Sequence, residues 1–376
     1  MKIGLVLEQF DPARGGLEHW TWQFARSLLA RGHEVHVVAF QFASTAADSG
    51  IIAHCLDDMP RSRVVRGELL AARLPAFGFD LIHDMGIGWH ADIIHPHGGS
   101  TRASWEHNLL RIPKWRQIRF WRERRYRELA EVERRQHHES AAVIVAVSQM
   151  VAQHFETLHQ LPAARLRVIP NGVDVERFAP AAEEGRQRAR RDLGIGEEET
   201  LFLMLAHNLL LKNAETFLRA AAQLRADGVP IRLVIAGGKK PEPFVRLAER
   251  LKLGRSVSFI GSVDPLPCFA AADAFIHPTW YDPCSLVTLE AAACGLPVIT
   301  TRYNGASELM TEGADGFILE QPDDATSLAA RMRQLLDPHL RRTMGAAGRA
   351  VALANTFERQ TTQFLGLYAE ILAAKK

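Results

Sequence analysis

Short apolar runs alternate along the chain with longer stretches in which apolar residues recur every four positions. Ile3–Leu7 is the first run and reads as a buried strand. In Leu17–Arg31 the large residues Trp20, Phe24 and Leu28 fall at helical spacing, and Gly32 stands where a glycine ends a helix. Val35–Phe40 is a second strand. Leu81–His83, Ile93–His95 and Val143–Val147 are further strands, and a long charged helix is predicted from about Trp115 to Glu139. A second series begins after residue 180. It reads Leu201–Ala206 strand, Asn213–Ala226 helix, Ile231–Ala236 strand, Phe244–Leu251 helix, then strands at Val257–Ile260, Ala274–His277 and Pro297–Thr300. Strands alternating with helices predict an α/β fold whose parallel sheets are covered on both faces. Two such series predict two Rossmann-like domains, residues 1–175 and 176–357, with a linker near 170–180. A closing helix, about 358–376, comes after a break near Asn355–Phe357 and can pack back on the first domain. Ligands of such sheets bind beyond the carboxyl ends of the strands, so a cleft between facing domains is the expected site.

Composition narrows the function classes. The 376 residues are about twice what one core usually supports, which agrees with two domains. The net charge of +2 gives no support to a nucleic-acid partner. Cys55, Cys268, Cys284 and Cys294 form no CxxC pair, so neither a zinc site nor a redox pair is expected, and scattered thiols fit a reducing compartment. The opening MKIGLVLEQF is interrupted by Glu8 and reads as a strand, not a signal peptide. No stretch reaches the roughly 18 apolar residues of a membrane span. The expectation is a cytoplasmic protein that meets a membrane only at its inner surface.

The segment from His277 to Ala306, HPTWYDPCSLVTLEAAACGLPVITTRYNGA, carries the most chemistry. A strand ends at His277, a loop follows, and a helix is predicted from near Ser285 to Cys294–Gly295. A helix N-terminus offers unpaired N–H groups and a positive dipole end, both of which favour a diphosphate. Leu286 and Val287 are placed to supply those N–H groups. Glu290, about one turn later, can accept two ribose hydroxyls, and Asp282 in the loop can reach hydroxyls of a sugar. Acidic residues near a helix start also stabilise the helix alone, so the spacing by itself leaves both readings open.

This segment resembles the Glu-x7-Glu motif of retaining glycosyltransferases with the GT-B fold, specifically family 4 (glycosyl transferases group 1). Glu290 followed by AAACGLPVI matches closely, whereas the first acidic position is Asp282 in place of the usual Glu. The resemblance implies that Glu290 binds the nucleotide ribose and Asp282 the donor sugar. Cys284, Ser285, Leu286 and Val287 would line the phosphate and sugar pocket, mainly through backbone. Gly15 and Gly16, in ARGGLEH, lack the GxGxxG spacing of NAD-binding folds but stand where the family has a glycine-rich loop near the donor phosphate. Lys212 follows the strand Leu201–Ala206, where a cation can neutralise the leaving diphosphate. The family often reads Gly-Arg-x4-Lys-Gly here; this chain has His207 for the Arg and Asn213 for the last Gly. Gly237 and Gly238 end the strand IRLVIAGG, where the family places the nucleotide base. Asn171-Gly172-Val173-Asp174 matches the family's NGVD and reads as the domain junction.

In HPHGGST, the spacing of His95 and His97 could suit a metal, but no Asp or Cys cluster accompanies them, and no metal or cofactor is expected. The family has a sugar-binding His on this loop. His97, followed by Gly98-Gly99-Ser100-Thr101, fits it better than His95 or His83. Catalysis is thus assigned to His97, Asp282 and Lys212.

Residues 111–135 hold ten Arg or Lys against four Glu, with Trp115, Phe120, Trp121 and Tyr126 interleaved. A solvated helix with its aromatics in the core is one reading. The other is an acceptor or anionic-membrane surface carried by Arg116, Arg119 and Arg122. The resemblance implies hexose transfer with retention of configuration, without metal. Within the family, the run YDPCSLVTLEAAACGLPVITTRYNGASELM looks most like the lipopolysaccharide core glucosyltransferases, which use UDP-glucose. The expected partners are a nucleotide-diphosphate sugar and a saccharide or lipid-linked acceptor. A nucleotide-sugar epimerase of GT-B fold and a non-catalytic nucleotide-sugar-binding protein are the alternatives.

Overall fold

The computed structural model describes the whole chain except residues 44–49, 57–58, 113, 115–116, 118–122, 239 and 376. It divides into two compact units, Met1–Pro170 with Arg359–Lys376, and Asn171–Glu358. The sequence reading put the first boundary at 175; the chain changes unit at Pro170–Asn171, and again at Glu358–Arg359.

Among its described residues the first unit holds seven parallel strands, β1 (Lys2–Phe10), β2 (Glu34–Phe42), β3 (Ile52–Cys55), β4 (Leu81–Asp84), β5 (Ile93–Ile94), β6 (Val143–Ala146) and β7 (Leu166–Val168). Their order is β3-β2-β1-β4-β5-β6-β7. Ile3, Leu5, Val6 and Leu7 are all buried because both faces of β1 are covered, which is why the strand reads as a continuous apolar run. The Gly16–Ala30 helix buries Trp20, Phe24 and Leu28, and Gly32 follows it with φ +77°. Trp20 and Phe24 pack with Phe364 of the closing helix, Phe357–Ala374. Trp20 Nε1 also donates to Gln360 Oε1 at 2.9 Å. These contacts explain why Arg359–Lys376 groups with the first unit.

The charged helix is shorter than predicted. It runs Arg124–His138, and Glu123 before it has extended backbone (φ −63°, ψ 130°), so no single helix spans Trp115 to Glu139. An apolar and charged mixture without a Gly or Pro gave no sign of that break. Arg116, Arg119, Arg122, Trp115, Phe120 and Trp121 lie outside the described residues. Tyr126 packs on Trp105, with ring centroids 4.9 Å apart.

The second unit repeats the plan with six parallel strands, β8 (Thr200–Leu205), β9 (Ile231–Ala236), β10 (Val257–Gly261), β11 (Ala274–His277), β12 (Val298–Thr301) and β13 (Gly316–Leu319). Their order is β10-β9-β8-β11-β12-β13. Its core is continuous from Phe202 and Met204 through Phe217, Leu233 and Ile276 to Met344. Strand order reverses between β8 and β11. In an open parallel sheet, the connections leaving two such neighbours run to opposite faces, and a crevice opens between the loops at their carboxyl ends. Here those loops carry Lys212 and Asp282. Among the described residues no helix is long and apolar enough to cross a membrane.

Candidate donor site in the second unit

The loop after β11 is tied down on all sides. Thr279 Oγ1 donates to the carbonyls of Leu211 and Tyr281, and the N–H of Trp280 donates to Leu211 O at 3.0 Å. Those bonds join the β11 loop to the β8 loop one residue before Lys212. Lys212 Nζ donates to Asp282 Oδ2 at 2.5 Å, so two residues 70 positions apart form one ion pair. His277 Nε2 lies 3.2 Å from the same oxygen. Burial would raise the Asp282 carboxyl, but Lys212 and His277 outweigh it and hold the group well below the usual carboxylate range.

Beyond Asp282 the chain enters the Leu286–Ala293 helix. Ser285 is its N-cap, and its hydroxyl accepts from Thr288 N at 3.3 Å. The cap therefore uses the third N–H, while those of Leu286 and Val287 have no acceptor within the helix. Asn304 supports this entry from beneath. Its Oδ1 accepts from Ser285 N and Ala306 N, and its Nδ2 donates to Thr288 Oγ1 and Thr300 Oγ1, all at 3.0 to 3.1 Å. Asn171 Nδ2 donates to Cys284 O at 2.7 Å. Burial pushes the Cys284 thiol up to about 12, so the residue offers a backbone contact and no nucleophile. Glu290 sits one turn along, half-buried. Burial raises its carboxyl to about 7, with Arg177 opposing the rise.

The departures from the family pattern acquire reasons here. Asn213 has left-handed backbone (φ +59°), a conformation that Gly and Asn adopt most readily. It caps the Ala214–Ala226 helix through Thr216 N, and its Nδ2 donates to Pro322 O at 2.6 Å. Asn thus keeps the backbone of the usual Gly and adds two bonds. His207 is exposed and lines a 390 Å³ cavity with Leu209, Gly238, Lys240 and Phe244. Gly237 and Gly238 turn there with φ +85° and +78°; a Cβ on Gly237 would sit 2.5 Å from Ala206 O. A 740 Å³ cavity lies at the other, amino-terminal ends of these strands. Arg186 and Arg190, in and beside it, both pair with Asp273.

In the first unit Gly15 and Gly16 begin the Gly16–Ala30 helix after β1, with Gly15 extended. His83 and His95 are fully buried, whereas His97 is partly exposed. The His97 ring lies 3.9 Å from that of His95 and 4.6 Å from Trp20, centroid to centroid. Burial lowers His97 to about 3, so its imidazole is neutral near pH 7. The following helix, Thr101–Leu109, starts on two caps: Ser100, and Glu133, whose Oε1 accepts from Thr101 N at 2.9 Å. His277, Asn304, Asn171 and Glu133 were not singled out as site residues from the sequence. The Asn-Gly pairs at 171 and 304 were the only visible signals.

Two family models match, Glycosyltransferase Family 4 over residues 14–177 and Glycosyl transferases group 1 over residues 185–351. The chain belongs to the family 4, group 1 glycosyltransferases. It is 29% identical over 244 residues to the D-inositol 3-phosphate glycosyltransferase of Corynebacterium jeikeium, an alignment covering 62% of this chain and 58% of that protein. The chain thus spans less than two thirds of that relative's length. It is 27% identical to the GDP-mannose-dependent alpha-(1-6)-phosphatidylinositol monomannoside mannosyltransferase of Mycolicibacterium smegmatis, covering 93% and 94% of the two chains. Among solved structures, WaaG, a glycosyltransferase involved in lipopolysaccharide biosynthesis, is similar with TM-score 0.82 and 20% identity over 97% of this chain and 99% of that one. Anabaena HepE in complex with UDP-glucose is similar with TM-score 0.76 and 21% identity over the whole of both chains. These neighbours establish the GT-B fold of the chain, two Rossmann-like units.

Proposed function

We propose that this glycosyltransferase transfers a hexose with retention of configuration from a nucleotide diphosphate donor seated on the second unit. The observation that carries the reading is one crevice edge holding Lys212, Asp282, the free N–H groups of Leu286 and Val287, and Glu290. Lys212 and the helix N-terminus would stabilise the charge that develops on the leaving diphosphate. Glu290 would accept the ribose hydroxyls, and the cavity beside Gly237, Gly238 and His207 would take the base. In the first unit, His97 is the candidate for holding a sugar hydroxyl, and Gly15 and Gly16 for close backbone approach. A neutral His97 suits positioning and hydrogen bonding more than acid catalysis. As the C1–phosphate bond breaks, a C1–oxygen bond to the acceptor forms, and the acceptor's proton passes to a phosphate oxygen.

UDP-glucose is the donor to test first, because HepE binds it on the same fold; the mannosyltransferase relative makes GDP-mannose the comparison. A saccharide or lipid-linked acceptor, such as lipopolysaccharide core, is the proposed class, reached from the cytoplasmic face of a membrane. The excess of basic residues in 111–135 favours an anionic acceptor or surface. The test is a thermal-shift panel of UDP, GDP, UDP-glucose and GDP-mannose on wild type and Glu290→Ala, followed by transfer to lipid extracts. Stabilisation by one nucleotide series, lost in Glu290→Ala, is expected. No stabilisation of wild type by any of the four overturns the donor reading. Donor turnover without an acceptor would favour an epimerase.

A further inference from the structure

His277 ends β11 with its side chain fully buried. Its ring stacks on Phe275, with centroids 5.8 Å apart and planes at 18°, and its own carbonyl accepts from Thr300 Oγ1 at 2.9 Å. The imidazole is therefore held in one orientation. Its Nε2 faces Asp282 Oδ2, an oxygen that also takes Lys212 Nζ. Asp282 is an anion here and can only accept, so Nε2 carries the proton and Nδ1 is bare. Nδ1 is buried and has no hydrogen-bond partner. Burial lowers the pKa of His277, which makes it a fixed neutral donor. Two donors converge on Oδ2, and neither of these contacts uses Oδ1. A carboxylate pinned through one oxygen presents the other in a set direction.

Accepting the donor-site reading above, we propose that His277 is a positioning residue that orients Asp282 so that Oδ1 meets hydroxyls of the donor sugar, and so governs recognition of the sugar rather than of the nucleotide. Asp282 is one methylene shorter than the family's usual Glu, and the bond from His277 supplies the orientation that a short side chain must hold. Without His277 the carboxylate keeps only Lys212, whose flexible ammonium sets no direction.

The test measures UDP and UDP-glucose affinity, and GDP and GDP-mannose affinity, by calorimetry on wild type, His277→Asn, His277→Phe and His277→Gln. The Gln amide can reach where Nε2 stands; the Asn amide is too short, and Phe has no donor. His277→Asn and His277→Phe should bind the nucleotide sugar about tenfold more weakly, as expected for losing a hydrogen bond to a charged group, and the free nucleotide as before. His277→Gln should restore most of the loss. Equal losses for nucleotide and nucleotide sugar, or identical behaviour of the Asn and Gln variants, would overturn the proposal. If His277→Phe does not fold, the Asn and Gln pair decides alone. A wild type that binds none of the four ligands overturns the donor reading itself, and this inference with it.

Discussion

Replacing Lys212 with Met removes the cation from the Asp282 pair and little else, because the two side chains have similar length. Both partners are largely enclosed, with side chains 17% and 14% exposed. Removing one partner of a buried pair costs about 3–5 kcal/mol, because the other charge stays buried without compensation. The residual exposure and the remaining His277 bond place this pair near the lower end, about 3 kcal/mol. For a unit of this size each kcal/mol moves the melting temperature by about 2–4 °C, so a drop of roughly 6–12 °C is expected at pH 7. The dependence on pH has a definite sign. Asp282 titrates lower in the folded chain than in the unfolded chain, so its contribution is present above about pH 4, the unfolded value, and fades as pH falls towards the depressed folded value. Melting curves of wild type and Lys212→Met should therefore converge in acid. Calorimetry on both, with Asp282→Asn and the double variant, completes a cycle in which the double variant is more stable than the sum of the single losses implies. A loss below about 1 kcal/mol, the level of an exposed pair, or strict additivity in the cycle, would refute the buried-pair argument.

Glu290 gives an opposite dependence. Its folded value, raised to about 7, means the native chain binds the extra proton between the unfolded value and 7, so this group's contribution to stability falls as pH rises across that window. Nucleotide affinity should fall as pH drops through about 7, with proton release on binding below that value and none well above it in calorimetry, and Glu290→Gln should flatten both. Asn304→Ala should cost about 3–4 kcal/mol in urea unfolding and weaken nucleotide binding, since it leaves the N–H groups of Ser285 and Ala306 unpaired in the core. Asn213→Ala should be less stable than Asn213→Gly by about 1 kcal/mol in the same assay, because only the Ala variant forces a Cβ into left-handed backbone.

Fold class was legible because both sheets are buried on both faces. β1, β2, β6, β8, β9 and β11 read as apolar runs, and the helices between them as four-residue repeats. The strands that sequence reading missed lack that signature for physical reasons. β3 is an edge strand of mixed residues, largely exposed; β7 has three residues; β13 begins with Gly316. The type and spacing of Asp282, Glu290 and Lys212 were equally visible, because the Leu286–Ala293 helix is a local structure that its own residues specify. The sequence alone thus determined two parallel α/β units and the short helix that carries Glu290. Only the tertiary structure decided which groups meet. The placing of β8 beside β11 brings Lys212 to Asp282, that of β12 beside β11 brings Asn304 beneath Ser285, and the folding of the segment before β8 brings Asn171 to Cys284. Such pairings depend on sheet order, which a periodic pattern cannot carry: period reports which face is buried, not which strand lies beside which.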